Sequence, residues 1–279
     1  MAQIFMRFPG GKLKTLTFSY DDGVEQDIQL IEMFEKYNVR ATFNLNSGLY
    51  APEGTVYPEG QIHRRLPESA VTKLYDKEWI EVAVHGATHP WLDHMPQNMC
   101  TKDLLDDREN LEKQFGKIVR GMAYPYGTYN DEVVESMKSV GIVYSRNVHS
   151  THDFNMPGDW MRLPATCHHN DEELMKLANR FLNDSSYGRP WMFYLWGHSY
   201  EFEACNNWQV MEDFLKLMAN RDDIWYATNI EIYNYQDAFK RLLFSMDGTI
   251  VTNPTAYELW FFSDGKEYSV KPGETKKLS

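Results

Sequence analysis

Four short clusters hold side chains suited to hydrolytic chemistry. They are Asp21-Asp22-Gly23, the pair His85 and His89 in His85-Gly86-Ala87-Thr88-His89-Pro90, the run Tyr124-Pro125-Tyr126-Gly127, and His198 behind an apolar stretch. Two imidazoles four residues apart lie on one face of a helical turn, close enough to share one ion. Position 86 is Gly and not Glu, which excludes the helical zincin arrangement. A carboxylate from another strand end would complete an Asp-His-His set. That gives three protein ligands with one position open, as in a catalytic metal site. Adjacent aspartates at a strand end point in different directions, so one can face a metal while its neighbour stays free as a general base. Taken alone, Asp-Asp-Gly also reads as a turn or helix N-cap, and the histidine pair by itself does not establish a metal.

These clusters need a scaffold, and the pattern around them supplies a strand-then-helix rhythm. Short β-prone runs at 16–18, 41–45, 79–84, 118–123, 142–145, 191–196 and 224–227 alternate with helical periods. The helical segments are 25–37 (with Ile28, Ile31 and Phe34 on one face), 67–75, 98–115, 131–140, 171–182, 208–219 and 230–243. Residues 46–66 read as a long loop, and 147–169 as an irregular stretch holding four histidines. About seven strand–helix units argue a parallel sheet, most simply a closed or nearly closed (β/α) barrel. All four clusters fall where strands end, which is where such barrels carry their sites.

From Ser245 the text changes to β-branched and aromatic runs split by turn residues, with Ser263-Asp264-Gly265 as a hairpin signal. The expected organisation is a barrel over 1–244 and a β appendage over 245–279. The appendage is too small to fold alone and should pack on the barrel through Trp260 and Phe261.

The 279 residues carry 28 Lys and Arg against 40 Asp and Glu, a formal charge of −12. Such a field repels phosphate backbones and anionic lipid, so neither nucleic acid nor a membrane is expected as partner. Cys100, Cys167 and Cys205 are few, odd in number and widely spaced, which argues against a disulfide framework. With no apolar leader in the first residues, a cytoplasmic protein is expected. The 14% aromatic share fits an aromatic core and also suits contact with sugar rings.

Thr17-Phe18-Ser19-Tyr20-Asp21-Asp22-Gly23 resembles the first motif of the polysaccharide deacetylases, the NodB-homology or carbohydrate esterase 4 family. His85-Gly86-Ala87-Thr88-His89-Pro90 is similar to that family's second motif and Tyr124-Pro125-Tyr126-Gly127 to its third. Leu195-Trp196-Gly197-His198 resembles its C-terminal leucine-x-x-histidine motif. Order and spacing match over roughly residues 14–230. The resemblance implies an α/β fold, a distorted (β/α)7 barrel, and removal of an acetyl group from an N- or O-acetylated carbohydrate. It implies Asp21 as catalytic base and Asp22, His85 and His89 as ligands of one divalent metal. Zinc suits that N/O set, with cobalt, nickel or manganese as alternatives. The backbone N–H of Tyr126 matches an oxyanion donor, and His198 the general acid that protonates the leaving amine.

Three departures and two rival readings accompany the resemblance. The third motif of the family opens with an Arg that orients the catalytic Asp, and this chain has Ala123 there. Arg162, in Trp160-Met161-Arg162-Leu163-Pro164, is the expected replacement, with a surface ion pair as its plainer reading. Gly86 stands where a hydroxyl often follows the first histidine, and the first motif carries an extra Tyr20. Asp159-Trp160 is similar to the family's aspartate-tryptophan element. Tyr124, Trp91 and Trp196 are expected to touch substrate, although aromatic residues beside such motifs also serve as core. His149 with His152, and Cys167-His168-His169, lack the spacing of a second closed site, and His63 and His94 receive no role. An allantoinase-like hydrolase of small non-sugar amides on the same fold is one rival. A catalytically weak carbohydrate-binding relative is the other, and the intact ligand set argues against it.

Overall fold

A computed structural model describes residues 3–278. Strand β1 (Phe5–Arg7) precedes the first barrel strand, β2 (Lys14–Asp21), which is followed by α1 (Asp27–Lys36). Then come β3 (Ala41–Leu45), α2 (Glu68–Tyr75), β4 (Ile80–Val84), α3 (Gln97–Phe115), β5 (Gly121–Ala123) and α4 (Asp131–Ser139). The second half adds β6 (Tyr144–Ser150), β7 (Leu163–Ala165), β8 (Cys167–His168), α5 (Leu174–Asn183) and β9 (Trp191–Gly197). Helices α6 (Tyr200–Ala204) and α7 (Trp208–Met218), strand β10 (Ile224–Tyr226) and α8 (Asn229–Lys240) complete the barrel.

Every pairing among β2–β10 is parallel, in the order β7-β6-β5-β4-β3-β2-β9-β8, with β10 also on β2. The two end strands, β7 and β8, are separated only by Thr166, whose N–H donates to the Tyr194 carbonyl at 2.9 Å. One short segment therefore borders both β6 and β9, and the sheet curls round into a barrel. The distortion lies at β2. β9 runs along one edge of it over 14–20, while β10 (over 14–16) and β3 (over 19–21) divide the other. Where β3 and β10 diverge, the N-terminus of α8 fills the gap. Asn229 N–H donates to Thr42 Oγ1 at 3.1 Å and Ile230 N–H to Glu81 Oε2 at 2.9 Å, so buried polar groups at the split keep partners.

Three details differ from the sequence reading. β2 continues to Asp21, so this carboxylate stands on a strand and not in a loop. β6 runs on to Ser150, which places Arg146 in the sheet and shortens the irregular stretch. The buried face of α1 is Leu30, Ile31 and Phe34, with Ile28 exposed. Among the described residues, no helix is long and apolar enough to cross a membrane.

The chain ends in two small antiparallel sheets. One joins β11 (Leu243–Phe244), β12 (Ile250–Thr252) and β15 (Thr275–Lys277); the other joins β1, β13 (Leu259–Ser263) and β14 (Lys266–Val270). β13 and β14 meet with Ser263 opposite Lys266, and Asp264 (φ 48°) and Gly265 (φ 82°) make the two-residue turn. Along β13 burial alternates, so Leu259 and Phe261 enter the core while Trp260 is half-buried on the other face. Phe261, Val251 and Val270 share one apolar cluster with Ile232 and Tyr235 of α8 and Tyr194 of β9.

Candidate active site

Asp21, 2% exposed, ends β2 at the C-terminal mouth of the barrel. Asn44, its neighbour on β3, donates from Nδ2 to Asp21 Oδ1 at 2.8 Å and to Ser19 Oγ at 2.8 Å. The Arg146 guanidinium is ion-paired with Asp21 Oδ2, and His85 Nε2 and His198 Nε2 each stand 3.8 Å from the same oxygen. Burial alone would raise the Asp21 carboxyl. Arg146, with His85 and His198, outweighs that and holds it below the usual carboxylate range.

Arg146 corrects the expectation for Arg162. The partner of Asp21 comes from β6, where Arg146 lies directly opposite Ala123 of β5 in the parallel register. The guanidinium missing from position 123 thus arrives from the adjacent strand, with its carbon 4.2 Å from the Trp196 ring centroid. Arg162 instead pairs with Asp159 Oδ2 at 2.7 Å and Asp131 Oδ1 at 2.5 Å, the surface ion pair of its plainer reading. Asp159 is engaged by the same pair.

Asp22 turns away from the strand at φ 85°, a left-handed conformation that is strained for a residue with a side chain. Arg65 pins it there, donating to the Asp22 carbonyl at 2.5 Å and to Oδ1 at 3.0 Å. His63 Nε2 lies 3.2 Å from Oδ2. Burial raises the Asp22 carboxyl, but the His63 hydrogen bond, His85 and Arg65 drive it far below its ordinary range. His63, given no role from sequence, therefore touches the site.

His85 Nδ1 faces the Ala123 carbonyl at 2.8 Å, so that nitrogen carries the proton and the Nε2 lone pair points into the mouth. Burial depresses the imidazole, which favours this neutral form. His89 adopts φ 51° and is pushed down to about 4, first by burial and then by His85. The turn between them is held from outside. Asn46 donates to the His85 and Gly86 carbonyls at 2.6 and 2.7 Å, and Asp103 accepts from Ala87 N–H at 2.9 Å. Gly86 (φ 73°) is required there, since a Cβ would come within 3.0 Å of Pro90 Cδ and 3.1 Å of Asp103 Oδ2. One donor atom from each of Asp22, His85 and His89 lies within 4.8 Å of the others, a set of the type that holds a divalent ion.

The aromatic residues divide. Tyr126 (φ 58°) lies in the turn over Pro125–Gly127, with its ring 4.5 Å edge-on from His89, so this turn borders the ligand set. Trp91 is 46% exposed, but Tyr126 stacks on it at 4.0 Å and His94 at 5.8 Å. Its ring therefore already has aromatic partners while staying open to solvent. Tyr124, expected at the substrate, is buried with its hydroxyl on the Met161 carbonyl at 2.6 Å and its ring against Tyr129 at 4.7 Å. Trp196 is buried over Arg146, and so serves the ion pair instead of presenting a sugar platform. His198 is half-buried directly after β9. Burial lowers its imidazole, yet Glu201, then Asp21 and Asp22, more than offset this and leave it raised.

Placement of these groups on the C-terminal strand ends of a parallel barrel defines the class. Residues 9–145 match the family model for polysaccharide deacetylase. The poly-β-1,6-N-acetyl-D-glucosamine N-deacetylase of Staphylococcus epidermidis is 34% identical over 85 residues, 29% of this chain and 29% of that protein. The peptidoglycan-N-acetylmuramic acid deacetylase PdaC of Bacillus subtilis is 28% identical over 127 residues, 45% of this chain and 24% of that protein. The matched stretch thus spans less than a third of either relative. A solved Mycobacterium smegmatis structure named for the polysaccharide deacetylases aligns with a TM-score of 0.60 at 16% identity, covering 84% of this chain and 93% of that chain. At that identity the likeness establishes the fold.

Proposed function

We propose that this chain is a metal-dependent hydrolase of carbon–nitrogen bonds other than peptide bonds, removing acetyl groups from an N-acetylated sugar polymer. One observation carries the reading. Asp21, the Asp22-His85-His89 donors and His198 converge on one barrel mouth, with His85 Nε2 and His198 Nε2 each 3.8 Å from Asp21 Oδ2. Asp22, His85 and His89 would hold the divalent ion; when bound, it supplies Lewis-acid polarisation of the acetyl carbonyl and a more acidic water. Asp21, kept ionised by Arg146, takes the proton from the attacking water. The Tyr126 turn offers its backbone N–H to the developing oxyanion. His198, kept protonated by its carboxylate neighbours, gives a proton from Nε2 to the departing amine. Acetate and a free amino sugar result. The family's relatives named above act on N-acetylated polymers, which supports the same substrate class here. Arg146 supplies the guanidinium that position 123 lacks, so the altered third motif does not by itself favour the small-amide alternative.

The test is acetate release from β-1,6- and β-1,4-linked N-acetylglucosamine oligomers, with metal content measured alongside. Asp21→Asn should keep the metal and lose 10²- to 10⁴-fold in kcat, while Asp22→Asn should lose the metal. No release from either oligomer by metal-loaded protein, or an Asp21→Asn protein with unchanged turnover, would sink the reading.

A further inference from the structure

Behind His198 lies a second polar cluster, built on Glu201. Glu201 sits in α6, three residues after His198. Its Oε1 is 3.4 Å from His198 Nδ1, and its Oε2 accepts the His198 backbone N–H at 3.3 Å. The same Oε2 lies 3.0 Å from His168 Nε2 and 3.2 Å from His169 Nε2. Two consecutive histidines of one strand end thus converge on a carboxylate that also faces the histidine of another.

The group His168, His198 and Glu201 has the composition of a cation site. The protons argue otherwise. His168 Nδ1 accepts the Asn170 N–H at 3.1 Å, so in the neutral ring the proton sits on Nε2, the nitrogen aimed at Glu201. That nitrogen donates and has no lone pair for a metal. His169 is fully buried against Tyr20 (5.7 Å, 9° between planes) and Phe202 (4.0 Å, 25°). Burial pushes its imidazole down to about 4, so it is neutral and does not cancel the Glu201 charge. Gly197 lets His169 come this close, because a Cβ at 197 would run into the His169 ring.

We propose that Glu201 is the positioning residue for His198, holding Nδ1–H so that the proton His198 can release is the one on Nε2. His168 and His169 anchor the Glu201 carboxylate in turn. The consequence is directional. Nε2 faces Asp21 Oδ2 and the barrel mouth, so the imidazolium releases its proton there and is left Nδ1-protonated, whereas a ring turned over would present carbon at that point. In sequence the pair is only His198-Ser199-Tyr200-Glu201, one turn of helix, while its anchors come from 30 residues upstream.

The kinetic arm of the test rests on the deacetylase reading; the spectroscopic arm does not. Protein labelled with 15N-histidine is examined by NMR above the His198 titration, where the neutral ring should be Nδ1-protonated in the unmodified protein. In Glu201→Gln that tautomer preference should weaken. Turnover of the N-acetylglucosamine oligomer should fall at least 10-fold with KM within twofold and metal content unchanged, and Glu201→Asp should regain most of it. An Nε2-protonated neutral His198 in the unmodified protein overturns the proposal even if Glu201→Gln fails to fold. So does a Glu201→Gln protein with kcat within twofold, or a second metal equivalent bound by the unmodified chain through His168 and Glu201. If His198→Ala itself leaves turnover intact, the reading of the reaction fails instead, and the tautomer result still stands or falls alone.

Discussion

Asp21 and Asp22 at the barrel mouth and Glu81 at its floor are driven in opposite directions by their surroundings. At the mouth, Asp21 and Asp22 face Arg146, Arg65 and histidines, and both fall below the ordinary range despite burial. At the floor, Glu81 of β4 meets only neutral donors: Thr42 Oγ1 at 2.8 Å, Tyr144 OH at 2.7 Å and Ile230 N–H at 2.9 Å. Burial wins there, and its carboxyl is pushed up to about 7. Hydrogen bonds from neutral groups satisfy a carboxyl without keeping it ionised, whereas a base ready to accept a proton near neutral pH needs a cation behind it. The mouth carboxylates are held ionised by cations, while Glu81 accepts from the α8 N-terminus at the split between β3 and β10.

The largest expected effect follows from removing that cation. Arg146→Met should lower kcat on the N-acetylglucosamine oligomer by 10²- to 10³-fold while metal binding persists, because Asp21 loses its charge partner and its orientation. Adding Ala123→Arg in that background should recover part of the loss, since the two positions are opposite one another in register. No recovery together with a normal fold would show that strand position matters as much as charge.

Glu81→Gln tests the floor. The folded protein binds the Glu81 proton up to about pH 7, above the ordinary value of 4.5, so the folded state holds more protons across that interval. This carboxyl therefore costs stability progressively as pH rises from about 4.5 to 7, and nothing further above. The variant lacks that slope. Its stability relative to the unmodified protein should improve by about 2 kcal/mol between pH 5 and pH 8 in urea unfolding, with kcat within twofold. A pH-independent difference would remove the contrast between floor and mouth.

The smallest effect is reserved for Arg162→Ala. Its ion pairs with Asp131 and Asp159 are surface pairs, so stability should change by less than about 0.5 kcal/mol and kcat by less than twofold. A 10-fold loss of turnover would mean that Asp21 depends on more than Arg146.

The local grammar of the chain was readable in one dimension. Apolar runs marked the strands, helical periods marked the covering helices, and the chemistry-bearing residues followed strand ends directly, so Asp21, Asp22, His85, His89 and His198 could be placed at one mouth. Boundaries were weakest where strands lack an apolar signature: Asn147, His149 and Ser150 belong to β6 although nothing in their character announces a strand.

By itself the sequence determined which side chains could carry chemistry and that an alternating α/β chain would bring them to a common rim, because both follow from residue type and short-range period. Only the tertiary structure decided how each is held. Arg146 reaches Asp21 through strand register, Arg65 and His63 reach Asp22 from a long loop, and His168 and His169 reach Glu201 from the barrel's closing strand. Those partners lie 32 to 125 residues apart, and their meeting is set by which strands pair and in what register, a property of the sheet as a whole and of no single segment.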